Sequence, residues 1–349
     1  MSAGSHAKEV NQMLSAGKLA RLQRLSTPSG IIAAAAMDQR AGLRKMLSEA
    51  RPDREVTDSM LAQFKIAVTR ILSPYASAIL LDPEFGLEAA RARAASCGLL
   101  LAYEVSRPSQ PEPGRLPSLL DRVSVKRIAE DWQADAVKFL MHYSPFEDFA
   151  FNDIKHALVE RIGAECETYQ IPFFLELVGY DPKLPDAKGP EYAKRKPEVV
   201  VASVAEFSKP HYRVDVLKVE VPVNLLYVEG ARAFRGPAVY SRAEALEHFR
   251  RAAEAARRPF IYLSAGVDNP VFVESLEMAA EAGADFSGVL CGRATWKGGV
   301  PVYAQENDVK ALEDWLATEG VKNIRAVNEA IASATPWWKK MGLPAPAAA

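Results

Sequence analysis

The chain has 349 residues, 49% of them hydrophobic, which is enough for one large core or two ordinary ones. Lys and Arg total 43 against 44 Asp and Glu, a formal net charge of −1, so no global field draws the protein to nucleic acid or an acidic membrane. The three scattered cysteines, Cys97, Cys166 and Cys291, argue against a disulfide frame, and five histidines without H-x-H or H-E-x-x-H spacing argue against a metal centre.

Residues 1–30 predict a helical extension that plugs or flanks one end of the fold. Their opening stretch, MSAGSHAKEVNQML, has no signal-like apolar segment, and no later run is long enough to span a bilayer. A soluble, cytoplasmic protein is the expectation. Eight short apolar runs then follow, at 31–38, 76–82, 98–104, 136–143, 173–180, 215–222, 260–266 and 286–293. Near-continuous apolarity suggests strands covered on both faces, as in a parallel sheet under helices. Between the first two, Thr57 is placed to cap a helix with Met60, Leu61, Phe64, Val68, Ile71 and Leu72 on its apolar side. Before the eighth, Asn269-Pro270 supplies a cap and a first-turn proline.

Eight strands alternating with helices close as a (β/α)₈ TIM barrel, with extra N- and C-terminal helices. A doubly wound sheet would bring a glycine-rich turn after strand one, and none is there. Residues 1–349 thus read as one barrel domain, with helices over 305–341 and a frayed tail over 342–349. Long loops at 105–117 and 181–200 are expected to wall the rim.

Barrel chemistry sits at the carboxyl ends of strands. Those ends offer Asp38, Asp82, Glu104, Lys138, Glu176, Lys218, Ser264 and Arg293. Alternation groups Val216, Lys218 and Glu220 on one face of strand six, Phe174, Glu176 and Val178 on strand five, and Lys138, Leu140 and His142 on strand four. With those faces inward, Lys138, Glu176 and Lys218 meet in one cavity. A buried lysine beside a second ammonium is disfavoured as a cation, so either lysine could help the other become a nucleophilic amine. Lysine attack on a ketone gives an iminium, an electron sink that lets a neighbouring C–C bond break. Glu176 is suited to shuttle the protons.

Small residues at Ser264-Ala265-Gly266 and Gly292-Arg293 mark a phosphate site on strands seven and eight, with Gln39-Arg40 as a second anion locus. Asp38, at the end of strand one, is also placed to cap a helix that starts at Gln39. His142 reads as a pocket-lining residue.

These segments resemble the class I tagatose-1,6-bisphosphate aldolases. The resemblance rests on MDQRAGLRKM (37–46), LLDPEFGLEA (80–89), CGLLLAYE (97–104), AVKFL (136–140), IPFFLE (171–176), VDVLKVEVPVN (214–224), IYLSAGV (261–267) and GVLCGRATW (288–296). It implies a (β/α)₈ barrel and reversible, metal-independent cleavage of a ketose bisphosphate to dihydroxyacetone phosphate and glyceraldehyde 3-phosphate. It implies Lys218 as the Schiff-base lysine and Glu176 as proton shuttle, with Lys138 and Asp38 beside them. Ser264, Gly266, Gly292 and Arg293 would hold phosphate, with Gln39 and Arg40 near the sugar's other end. No cofactor is called for, and the partner is a small sugar phosphate; homo-oligomerisation stays open. Departures are His142-Tyr143-Ser144 where Tyr-Tyr-Asp is frequent, and Gly179 where threonine is usual. They touch the choice of sugar more than the reaction. A 6-deoxy-6-sulfofructose-1-phosphate aldolase is the alternative enzyme, and a metabolite-sensing regulator the alternative of another class.

Overall fold

A computed structural model describes residues 14–106, 113–306 and 308–346. Eight parallel strands form a closed barrel in sequence order. They are β1 (Ile32–Ala36), β2 (Ala78–Leu81), β3 (Gly98–Ala102), β4 (Ala136–Tyr143), β5 (Phe173–Gly179), β6 (Val216–Glu220), β7 (Phe260–Leu263) and β8 (Gly288–Cys291). Every apolar run of the sequence supplies one strand. Most strands stop earlier than the runs, so Asp38, Asp82, Glu104, Ser264 and Arg293 stand just past the ladder, on the rim.

Period-two alternation sorts each strand into an inner and an outer face. Ile32, Ala34 and Ala36 of β1 point inward with Leu80, Leu100, Phe174, Val216, Ile261 and Leu290, whereas Ala33, Ala35 and Met37 join the outer core under the helices. The first helix, α1 (Ala16–Arg24), closes the amino end of the barrel: Leu22 and Leu25 are fully buried in the inner cluster together with Trp337. Lys18 of α1 bridges to Asp215 at 2.9 Å and Glu167 at 3.0 Å, so its buried ammonium is paired.

Two helices, α2 (Ala41–Ala50) and α3 (Asp58–Leu72), join β1 to β2. Thr57 caps α3, its hydroxyl accepting from the Met60 N–H. The five-residue α4 (Leu87–Arg91) follows β2. The β3–β4 connection carries no long helix among its described residues, only a short 3₁₀ turn at Pro113–Arg115 and a π turn at Arg127–Asp131. Residues 107–112 of the expected loop at 105–117 lie outside the described residues.

Next come α5 (Phe149–Thr168), α6 (Pro190–Phe207), α7 (Arg242–Ala255) and α8 (Asn269–Glu281). Two sequence expectations change here. The rim loop after β5 is shorter than the expected 181–200, because α6 begins at Pro190: a proline at the first helical position starts the helix there. The cap residue of α8 is Asp268 and not Asn269, and its carboxylate pairs with Lys297 at 2.6 Å instead of bonding the helix. After β8 the chain runs through α9 (Arg293–Trp296), α10 (Gly299–Glu306), α11 (Val309–Trp315), α12 (Val321–Ala330) and α13 (Trp337–Lys340). No described helix is long and apolar enough to cross a membrane.

Candidate active site

Register decides which side chains meet at the open end. In the ladders Glu176 of β5 stands beside Lys218 of β6, and Lys138 of β4 stands beside Ala102 of β3 and Phe174 of β5. Lys138 is therefore one inward step deeper than Glu176. All three are buried, Lys138 at 0%, Lys218 at 3% and Glu176 at 6% exposure.

The Lys138 ammonium is surrounded by carboxylates. Its Nζ lies 2.8 Å from Asp38 Oδ2, 2.7 Å from Glu104 Oε1 and 2.8 Å from Glu176 Oε2. Glu176 turns its other oxygen, Oε1, to Lys218 Nζ at 2.9 Å. Burial opposes charge on Lys138, but Asp38, Glu104 and Glu176 outweigh it and raise its pKa well above the ordinary lysine value. Lys138 is thus held as a cation by three carboxylates, whereas Lys218 has Glu176 as its one ion-pair partner among the described residues. Burial alone would raise the Asp38 and Glu176 carboxyls; Lys138 first, then Lys218, hold both below their usual values. Asp38 keeps one buried oxygen, Oδ1, without a protein partner among the described residues, and Gln39 Oε1 is in the same condition. Asp38 does not cap α2: the cap position is Arg40, which makes no capping bond.

Glu104, one of the carboxylates expected at the strand ends, joins two parts of the site. Besides Lys138, it accepts from the Leu140 N–H at 3.0 Å, and its backbone carbonyl accepts from Arg40 at 2.8 Å. Arg40 is 4% exposed and also pairs with Glu84, so its guanidinium mostly braces this corner. Asp82 is not in the cavity; it forms a fully buried pair with Lys65 of α3 at 2.6 Å. Lys65 escaped the sequence reading although Leu61, Lys65, Val68 and Leu72 form one helical stripe, which places a cation on the apolar face.

Glu220 corrects an expectation. Alternation placed it on the face of Lys218, but the strand ends there and its carboxylate meets Lys196 of α6 at 3.2 Å and the Gly179 N–H at 2.7 Å. Gly179 faces the same layer: a Cβ there would lie 2.7 Å from Tyr192 Oη and 2.8 Å from Val199 Cγ1. A threonine would not fit this packing unchanged. His142 is half-buried, and burial followed by the nearby Arg115 pushes its imidazole down to about 4, so it is neutral at physiological pH.

At β7 and β8 the rim is small and cationic. Gly266 has φ +79°, and a Cβ on it would fall 2.7 Å from the guanidinium carbon of Arg293. The arginine therefore lies over the glycine backbone, half-buried, with no carboxylate partner among the described residues. Gly292 approaches the Ala36 carbonyl so closely that a Cβ would be 2.9 Å from its oxygen. Trp296 Nε1 donates to that carbonyl at 2.8 Å, tying α9 to β1. Ser264 is 6% exposed and hydrogen-bonds Cys291, whose thiol burial pushes up to about 12. All three cysteines are free and buried.

The arrangement offers an amine, a carboxylate that touches it, a cation that fixes the carboxylate, and a cationic small-residue rim next door. That is the equipment for covalent carbonyl chemistry on an anionic substrate. A family model described as DeoC/LacD family aldolase matches residues 32–298. The tagatose 1,6-diphosphate aldolase 2 of Enterococcus faecalis is 50% identical over 325 residues, covering 93% of this chain and 96% of that protein. The tagatose 1,6-diphosphate aldolase of Listeria monocytogenes is 47% identical over 327 residues, with 93% and 95% covered. Among solved structures, a Plasmodium falciparum fructose-bisphosphate aldolase superposes with a TM-score of 0.60 at 12% identity, over 89% of this chain and 94% of that one. An archaeal fructose 1,6-bisphosphate aldolase gives 0.57 at 14%, over 91% and 100%. At such identities the structural likeness speaks for the barrel alone.

Proposed function

Since the chain belongs to the DeoC/LacD family of aldolases, and is thus a carbon–carbon lyase, we propose that it cleaves tagatose 1,6-bisphosphate reversibly through a Schiff base on Lys218. The relatives' shared substrate, at 46–50% identity over nearly their whole length, supports the sugar. The observation that carries the mechanism is the 2.9 Å contact between Lys218 Nζ and a Glu176 carboxylate whose other oxygen is held by Lys138.

In this reading Lys218 passes a proton to Glu176 across their 2.9 Å contact and adds to the C2 carbonyl as the neutral amine; Glu176 returns that proton to the carbinolamine hydroxyl, so water leaves and an iminium forms. Glu176 takes the proton of the C4 hydroxyl as the C3–C4 bond breaks. The bonding pair moves into the iminium, producing an enamine on Lys218 and free glyceraldehyde 3-phosphate. Proton return to C3 and hydrolysis release dihydroxyacetone phosphate and restore the amine. Lys138 stays charged throughout and keeps Glu176, Asp38 and Glu104 in place, so this charge is organised before substrate arrives. The unpartnered Oδ1 of Asp38 is an acceptor for a sugar hydroxyl. Ser264, Gly266, Gly292 and Arg293 hold one phosphate. Gln39 faces the other end of the sugar through its free amide oxygen, and Arg40 serves there chiefly by bracing Glu104.

Borohydride reduction in the presence of dihydroxyacetone phosphate tests the assignment. Irreversible inactivation with a reduced three-carbon adduct on Lys218 is expected. An adduct found only on Lys138 overturns it.

A further inference from the structure

Lys65 is a fully buried cation to which the cleavage steps give no part. It lies on α3, outside the barrel, at 0% exposure. Its three ammonium hydrogens have three partners: the Met37 and Gln39 carbonyls, each at 2.7 Å, and Asp82 Oδ2 at 2.6 Å. The two carbonyls belong to the residues on either side of Asp38. Asp82, also at 0%, uses its other oxygen to accept from the Glu84 and Phe85 N–H groups, and Glu84 in turn holds Arg40. One ammonium therefore joins the turn after β1 to the turn after β2.

Strand β1 ends at Ala36 and α2 begins at Ala41, so residues 37–40 belong to no regular element. Beyond the Met37 N–H, which still reaches Leu80, little else in the backbone fixes this turn among the described residues. A buried ion pair is a poor source of stability compared with apolar residues of the same volume. Geometry at Asp38 is the better reason for it.

We propose that Lys65 is a positioning residue for carbon–carbon cleavage: by clamping the carbonyls on both sides of Asp38 it sets the carboxylate that reaches Lys138. The proposal rests on the Schiff-base reading above. Lys65→Met alone strands Asp82 in the interior, so the informative protein is Lys65→Met/Asp82→Asn, which removes both charges. Its thermal midpoint should return to within a few degrees of wild type, while kcat stays lower by about a hundredfold, the scale of an ångström-sized misplacement. KM should change less than about threefold. The borohydride adduct on Lys218 should still form. A second pair, Lys65→Gln/Asp82→Asn, keeps N–H donors for the carbonyls and should recover part of kcat. A folded methionine pair with wild-type kcat, or methionine and glutamine pairs with equal kcat, overturns the clamp. If the methionine pair does not fold, Lys65→Leu/Asp82→Asn takes its place, since it too removes the donors: a folded leucine pair with wild-type kcat refutes positioning. Absence of the adduct from the wild-type enzyme is a different result and strikes the Schiff-base reading itself.

Discussion

Lys138 and Lys218 hold opposite oxygens of one carboxylate: Glu176 gives Oε2 to the first at 2.8 Å and Oε1 to the second at 2.9 Å. The two lysines are not equivalent. Lys138 has Asp38 and Glu104 as well, whereas Lys218 has Glu176 alone among the described ion pairs. A cation with three anionic partners holds its proton, and this asymmetry between the two lysines is why the proposal places the Schiff base on Lys218.

Replacing the two reacting groups should separate covalent chemistry from proton transfer. Lys218→Met should lower kcat/KM by more than about a thousandfold and abolish the borohydride adduct. Glu176→Gln should lower kcat by roughly 10²–10⁴-fold, the usual worth of a general acid–base, while the adduct still forms. Cleavage by Lys218→Met at an ordinary rate refutes the nucleophile.

Removing Lys138 is expected to harm folding as much as catalysis. Lys138→Met leaves three buried carboxylates facing each other, and breaking such a cluster costs about 3–5 kcal/mol. Urea unfolding at neutral pH measures it. A midpoint equal to that of wild type shows that the carboxylates find other partners.

The same cluster makes stability depend on acid. Asp38 and Glu176 have folded pKa values below their ordinary 3.8 and 4.5, so the unfolded chain takes up protons first as pH drops. Their contribution is complete above roughly pH 5 and is lost as pH falls through the carboxylate range toward the folded values. Unfolding midpoints should hold between pH 7 and pH 5 and fall at pH 4 and 3, and Asp38→Asn should flatten the fall. Parallel curves for the two proteins count against it.

Gly266 should prove sensitive to a single methyl group. Alanine at φ +79° costs about 1–2 kcal/mol of backbone strain, and its Cβ displaces the Arg293 guanidinium. KM for a bisphosphate should rise about tenfold or more, the worth of one charge-assisted hydrogen bond, with kcat less affected. Steady-state kinetics of Gly266→Ala decide this; an unchanged KM removes Arg293 from phosphate binding.

Substrate preference is a separate matter. Tagatose 1,6-bisphosphate should give a higher kcat/KM than 6-deoxy-6-sulfofructose 1-phosphate in a direct comparison. The reverse order rejects the sugar while leaving the lysine chemistry standing.

Strands were legible because each is an apolar run bounded by polar residues, and the barrel followed from their number and order. The triad was legible for the same reason: Lys138, Glu176 and Lys218 each interrupt such a run. Glu104 and Asp82 looked alike, both carboxylates at strand ends, yet one enters the site and the other does not. Only the partners Lys138 and Lys65, distant in sequence, tell them apart. Lys65 was hidden because a lysine inside a helix is ordinarily solvated, and its neighbours on α3 are read as a stripe of hydrophobic residues. Glu220 misled because alternation loses its force at the last residue of a strand. The early start of α6 was missed because proline, a common loop residue, also starts helices.

The packed floor formed by Leu22, Leu25 and Trp337 makes the barrel a cup with its working end opposite. A six-carbon sugar that enters at the rim must send both of its halves back the same way. With the Schiff base proposed on Lys218, the half bonded to it cannot go first, so the aldehyde is expected to depart ahead of the ketone through that same doorway.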